Sequence, residues 1–349
     1  MVRARLSMGE EPDVHTKMMR KYKEAPWWWF AIAFVIMLAI SFVSCLVWDT
    51  KLSWWALIIA LLIAGIFCVP IGMIQAITNV QLGLNVITEF IIGYMQPGRP
   101  LAMMLFKTYG YITMTQALAF SQDLKLGHYM KVPPRAMFFG QMVATVWSSI
   151  VQIAVLNWAF GAIDGICTPA QKETNHFTCP GGKVFFNASV IWGLIGPARI
   201  FGAGQVYNSL MYFFIAGALA PPLFYVLARM FPKSNIRYIN VPLIFGGSGM
   251  IPPATTINYT TWGIVGFIFN KVIKNKYRGW WANYNYVLSA GLDCGLAVSV
   301  IVIFLTLQLT NQTAPDWWGN HVNDNTQDFA GPGVQVLLDE GSTFGPATW

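Results

Sequence analysis

The stretch Trp27-Trp-Trp-Phe-Ala-Ile-Ala-Phe-Val-Ile-Met-Leu-Ala-Ile-Ser-Phe-Val-Ser-Cys-Leu-Val-Trp48 contains no charged side chain. A helix needs about 20 mostly apolar residues to cross the hydrocarbon core of a bilayer. This segment meets that length, and its ends carry tryptophan, which anchors at the membrane–water interface. It is read as a transmembrane helix, and it decides the class of the whole fold.

The rest of the chain agrees. Of 349 residues, 55% are hydrophobic and only 11% charged, with a mean hydropathy of +0.50. Soluble domains carry about 25% charged residues, so lipid must solvate part of this surface. The 15 Trp, 13 Tyr and 24 Phe suit interfacial aromatic belts. The net charge of +7 lies in short runs beside apolar segments rather than in a basic stripe interleaved with aromatics, which argues against nucleic-acid binding.

Working outward, residues 52–78 form a second span with Pro70 and Gly72 as a kink. Residues 80–95 are apolar but short, and they hold Glu89, Asn85, Gly83 and Gly93. Residues 101–120 contain Lys107. Residues 136–163 read as a full span, and 184–198 as a re-entrant half-helix ending at Gly196-Pro197. Residues 200–228 read as a span. Residues 238–270 are uncharged but broken by Pro242, Gly246, Gly247, Gly249, Pro252 and Pro253; 286–309 is the last span, interrupted by Asp293. Irregular backbone at membrane depth is tolerated where it is buried in protein or lines a wet cavity. The expected fold class is therefore an all-α polytopic membrane protein, a transmembrane helical bundle with broken and re-entrant helices. Its regions are a cytoplasmic segment 1–26, a transmembrane domain 27–310 and a polar acidic tail 311–349.

Orientation follows the distribution of Lys and Arg. The N-terminal segment, 229–237 and 271–278 are basic and are expected in the cytoplasm, which makes 238–270 a hairpin. The first 26 residues lack the apolar core and cleavage site of a secretion signal, so the first span is expected to direct insertion. The tail has five acidic residues and no Lys or Arg, and is expected outside with residues 164–183. Cys167 and Cys179 would there be a disulfide candidate, the alternative being two free loop thiols. The sequons at Asn187 and Asn311 are glycosylation candidates on the same face.

Ionisable groups at membrane depth are expensive and are functional-site hypotheses by default. Glu89, Lys107, Arg199 and Asp293 qualify. Asp123, Lys125, His128, Lys131 and Arg135 form a polar cluster ahead of a span. A carboxylate in a semi-dry cavity can take up a proton on one side and release it on the other. A Lys or Arg beside it can hold a substrate carboxylate. All nine residues are candidates for a substrate or proton pathway. The same charges could instead pair to hold helices in register, and Lys131-Val-Pro-Pro-Arg135 could be a turn with interfacial anchors. No zinc-hydrolase, serine-hydrolase or P-loop motif is present, and the four His show no metal-ligand spacing. An enzyme is not expected, nor a metal or cofactor.

Several blocks carry a family resemblance. Asp123-Leu-Lys-Leu-Gly-His-Tyr-Met-Lys-Val-Pro-Pro-Arg135 resembles the KIPPR signature of the oligopeptide transporter family, with Val132 in place of Ile. Gly83-Leu-Asn-Val-Ile-Thr-Glu-Phe-Ile-Ile-Gly93 with Pro97-Gly-Arg-Pro100 is similar to the stretch before that signature. Trp192-Gly-Leu-Ile-Gly-Pro197 and Trp280-Trp-Ala-Asn-Tyr-Asn-Tyr-Val-Leu-Ser-Ala290 resemble later blocks, and Asp316-Trp-Trp-Gly-Asn320 the tail of fungal members. The resemblance implies proton-coupled import of small peptides across the plasma membrane, with tetra- and pentapeptides or glutathione as substrate and the proton as coupling ion. A metal–chelate carrier of the same superfamily and a non-transporting membrane subunit are the alternatives. Members are about twice this length and carry Asn-Pro-Gly in their first half; no Asn-Pro-Gly occurs here. The chain is thus expected to be the C-terminal half of such a carrier, beginning in a cytoplasmic loop. Its expected partners are the lipid bilayer, an oligopeptide, and a missing N-terminal half or a full-length transporter.

Overall fold

The computed structural model describes residues 14–168, 179–205, 207–247, 249, 254–310, 312 and 317–325. All regular structure among them is helical. The helices are α1 (Val14–Met19), α2 (Trp27–Val47), α3 (Trp54–Thr78), α4 (Asn85–Met95), α5 (Pro100–Lys107), α6 (Thr113–Tyr129), α7 (Pro134–Ala162), α8 (Pro180–Ala188), α9 (Pro197–Phe201), α10 (Tyr212–Met230), α11 (Val241–Gly246), α12 (Thr256–Phe267), α13 (Lys274–Lys276), α14 (Arg278–Ile303) and α15 (Trp318–Asp324). Four π-helical turns interrupt or extend them: Thr108–Ile112 joins α5 to α6, Ser189–Ile195 continues α8, Ile268–Ile273 joins α12 to α13, and Phe304–Gln308 continues α14. The chain forms two compact units, Met1–Gly247 and Ser248–Trp349.

Among the described residues, five helices are long and apolar enough to cross a membrane: α2, α3, α7, Asn208–Met230 and Arg278–Leu307. The chain is an all-α polytopic membrane protein. Two expected boundaries move: the last span, read from 286, starts at Arg278. The span read at 200–228 starts at Asn208, because Gly204 adopts φ +84° and the backbone turns between α9 and the 3₁₀ turn leading into α10. Residues 101–120, left ambiguous by Lys107, are one helical path from α5 through the π-turn to Tyr129. The expected break after 184–198 is present. The apolar helix Gly181–Ile195 stops at Gly196, whose φ of +84° only glycine adopts cheaply, and Pro197 starts α9. The hairpin expected over 238–270 divides between the two units and passes through residues outside the described ones.

The core of the first unit sits where α3, α4 and α5 meet. Ala56, Leu57 and Ala60 of α3, Ile92 of α4, and Ala102, Met103 and Phe106 of α5 are fully buried together. Ala56, Ala60 and Ala64 recur every fourth residue, so one small-residue stripe runs along α3. In lipid, where burial of apolar groups gives helices little reason to associate, such stripes let backbones approach and gain dispersion contacts. Gly110 of the π-turn uses that approach: a methyl group there would stand 2.9 Å from Thr88 Cγ2 and 3.6 Å from the Ala60 carbonyl. Aromatic contacts bring α2 to α7, with the Phe30 and Phe138 rings 4.8 Å apart.

The broken helix docks on this core through two close approaches. A methyl group on Gly193 would lie 2.5 Å from Pro100 Cα, and one on Gly93 would lie 2.5 Å from Pro197 Cδ. Backbone cannot yield as a flexible side chain can. Gly193→Ala is therefore expected to lower the thermal unfolding midpoint of the detergent-solubilised chain by an amount matching about 1–3 kcal/mol. Gly140→Ala, on α7 with open space around it, is expected to leave it unchanged or slightly raised.

Candidate functional site

Glu89 lies mid-way along α4 and Lys107 is the last residue of α5. The Gln96–Arg99 turn between these helices is closed by Gly98 at φ +76°. Arg99 ties the turn to the α2–α3 loop by donating to the Lys51 carbonyl at 3.0 Å. The two charged residues lie nearly the same number of positions from the turn, so the hairpin brings them to the same height. Lys107 Nζ donates to Glu89 Oε1 at 2.7 Å, and their side chains are only 6% and 3% exposed. On its other side the Lys107 ammonium lies 4.8 Å from the centre of the Phe185 ring, which α8 supplies.

Withdrawing two charges from water costs several kcal/mol each, and their attraction repays this only with good geometry. Such a pair is a poor way to stabilise a fold and a good way to store a protonation-dependent state. Further polar groups are buried in the first unit. Thr88, fully buried, spends its hydroxyl on the Leu84 and Asn85 carbonyls of its own helix at 3.0 and 2.9 Å. Gln75 Oε1, Asn85 Oδ1 and both amide atoms of Gln96 are buried without a protein hydrogen-bond partner. Each such atom costs about 1–3 kcal/mol. The π-helical turn begins immediately after Lys107, and such turns occur often at functional sites.

The other candidate residues are not brought to this pair. Asp123 is exposed and accepts from Gln141 Nε2 at 3.3 Å. Lys125 lies over the Tyr129 ring at 5.0 Å, and His128 meets the same ring edge-on. Lys131, at φ +64°, contacts His15 Nδ1 and donates to the Tyr129 carbonyl at 3.2 Å. Arg135 donates to the Glu24 carbonyl at 3.1 Å and lies over the Trp29 ring. These contacts tie the α6–α7 turn to α1, to the segment after it and to the start of α2. Arg199 is exposed on α9, and Asp293 is exposed on α14 in the second unit.

Cys167 and Cys179 form a disulfide with their Cα atoms 5.1 Å apart, immediately before α8. Asn187 is exposed, on helix α8 rather than in a loop, and Asn311 lies outside the described residues. Among the described residues no group of three or more His, Cys, Asp or Glu could hold a metal ion. Phe185, Gln96 and Thr88 had no signal in the sequence beyond lying in apolar segments.

Removing one partner of a buried pair strands the other. Lys107→Met or Glu89→Gln alone is expected to cost about 3–5 kcal/mol of stability, and the double change E89L/K107M to be nearly neutral. Denaturant titration of the purified chain in mixed micelles, run as a double-mutant cycle, measures the difference. Additive single effects would show that the two side chains do not interact.

Comparison with known proteins follows the same blocks. The family model described as OPT oligopeptide transporter protein matches residues 2–307. The chain is 50% identical over 347 residues to the sexual differentiation process protein isp4 of Schizosaccharomyces pombe, covering 99% of this chain and 44% of that protein. It is 47% identical to glutathione transporter 1 of the same yeast, covering 98% and 40%. With oligopeptide transporter 1 of Arabidopsis thaliana it shares 47% identity, covering 90% and 42%. The chain thus spans less than half the length of each of these relatives. No solved structure matches. With the family model covering nearly all of its length and relatives of such identity, this chain belongs to the OPT oligopeptide transporter family.

Proposed function

We propose that this chain forms part of a carrier for small peptides, and that the Glu89–Lys107 pair is its proton-responsive element. The observation that carries the reading is a 2.7 Å ion pair, almost wholly buried, at the junction of three short helical segments in a membrane protein. Family membership supports peptides as the cargo, and two relatives bear the names of a glutathione and an oligopeptide transporter.

The chemistry follows from competition for one ammonium. With Glu89 ionised, Lys107 is neutralised by its neighbour and has little call for another anion. When Glu89 takes a proton, Lys107 is left as an uncompensated buried cation. A peptide carboxylate can then replace the lost partner. When the proton leaves, the pair re-forms and the peptide is displaced. Proton uptake and peptide binding thereby favour each other, and the linkage is reciprocal. The plasma membrane is the proposed location.

Lipid, and a partner supplying the region that the longer relatives have in addition, are the proposed neighbours of the transmembrane helices. One feature favours this arrangement: α7 and Asn208–Met230 bury none of their apolar span inside the chain. A helix that is apolar and uncovered faces lipid or another protein segment. On this reading the chain alone is the C-terminal part of the carrier, and co-expression with the N-terminal half of a relative completes it.

Uptake of a labelled tetrapeptide by a peptide-auxotrophic host tests both parts. The completed pair of chains is expected to accumulate peptide in a proton-driven manner, and the chain alone to do so far less. Glu89→Gln, which fixes a neutral side chain, is expected to retain peptide binding and to lower concentrative uptake at least about tenfold, a change of about 1.4 kcal/mol in coupling. Lys107→Met is expected to lose binding itself. If Glu89→Gln left proton-driven uptake intact, the assignment of Glu89 as the proton-responsive group would be wrong.

A further inference from the structure

We propose that Phe185 is the gate residue of the Glu89–Lys107 site, its ring closing the approach to the ammonium from the α8 side. The inference rests on the reading of that pair as the working site, and it adds the route by which water or a carboxylate reaches it.

An ammonium carries three N–H donors. Glu89 Oε1 accepts one of them at 2.7 Å, and the Phe185 ring faces the charge at 4.8 Å. An aromatic face attracts a cation through its quadrupole without taking a proton from it. The contact can therefore be made and broken with no chemical change at either group, which is what a gate on a proton-responsive site needs.

Packing sets which part can move. Phe185 is 43% exposed, whereas Phe106, next to Lys107, is 0% exposed. Phe106 is locked in the core, whereas Phe185 keeps part of its ring uncovered among the described residues. Its backbone is held on both sides. Cys179, the residue before α8, is joined to Cys167, and Gly193 beyond α8 abuts the Pro100 backbone at a separation that leaves no slack. Movement of the ring is thus cheap and movement of the helix is not. Rotamer changes of exposed side chains take picoseconds to nanoseconds, so the gate adds little delay to transport. Phe186, the next residue, is 67% exposed and serves as the control.

Zero-length cross-linking reads access directly. A carbodiimide activates the Glu89 carboxylate, the Lys107 amine attacks it, and an amide joins Cδ to Nζ. The chain becomes lighter by one water, whose atoms leave in the urea formed from the reagent. The full 349-residue chain in detergent micelles is treated with a water-soluble carbodiimide, and the cross-linked peptide is followed by mass spectrometry. Phe185→Ala is expected to speed cross-linking about tenfold, the population shift that loss of a desolvated cation–π contact produces. Phe185→Leu, which keeps bulk but loses the ring face, is expected to fall between alanine and wild type. Phe185→Trp should react no faster than wild type, and Phe186→Ala at the wild-type rate. Dicyclohexylcarbodiimide, which enters apolar interiors, should cross-link wild type and Phe185→Ala equally. If that reagent joins the pair while the water-soluble one shows no order of Ala above Leu above Phe, the gate is overturned and the pair stands. If neither reagent joins Glu89 to Lys107 in any variant, the pair reading falls and the gate with it.

Discussion

A carboxylate and an ammonium held 2.7 Å apart, both almost wholly removed from solvent, can exist only if the chain around them is arranged to keep them together and to keep water out. Much of the first unit reads as a response to that constraint. Two short helices joined by the Gln96–Arg99 turn set Glu89 and Lys107 at one height. The alanine stripe of α3 lets that hairpin lie close enough to be sealed on one side. The broken α8–α9 segment covers the other side through Gly193 on Pro100 and Pro197 on Gly93. Without the positive φ at Gly196 the chain could not turn to place Pro197 there.

The same arrangement separates what holds the fold from what works in it. In a membrane, small residues and close backbone contact do the holding, and they are found at the three-helix core. The ion pair contributes little net stability by comparison, because desolvation offsets most of its attraction. The unpartnered amide atoms of Gln96 and the carbonyl oxygens of Asn85 and Gln75 side chains belong to the same account. Each is a cost that a fully apolar core would not carry.

The signature block before α7 serves a different purpose. Lys131 and Arg135 reach back to His15, Glu24 and Trp29, so the most recognisable motif of the sequence fastens the α6–α7 turn to the segment ahead of the first span. The charged cluster of this block and the buried pair thus make separate sets of contacts.

Apolar length alone determined the class: segments such as Trp27–Val47 and Arg278–Leu307 must be membrane helices because their backbone polar groups have to be satisfied within the segment. Gly196-Pro197 marked a break for an equally local reason, since one residue takes a positive φ and the next has no N–H to continue a helix. The sequence also singled out Glu89 and Lys107 as costly, yet it offered Arg199 and Asp293 on the same terms. Choosing among them was left to the tertiary structure, because burial depends on which helices approach, and that depends on side-chain volume summed over several elements. Phe185 could not be seen in advance at all. One phenylalanine among 24 has no local mark, and only the docking of α8 against the end of α5 places that ring over the buried ammonium.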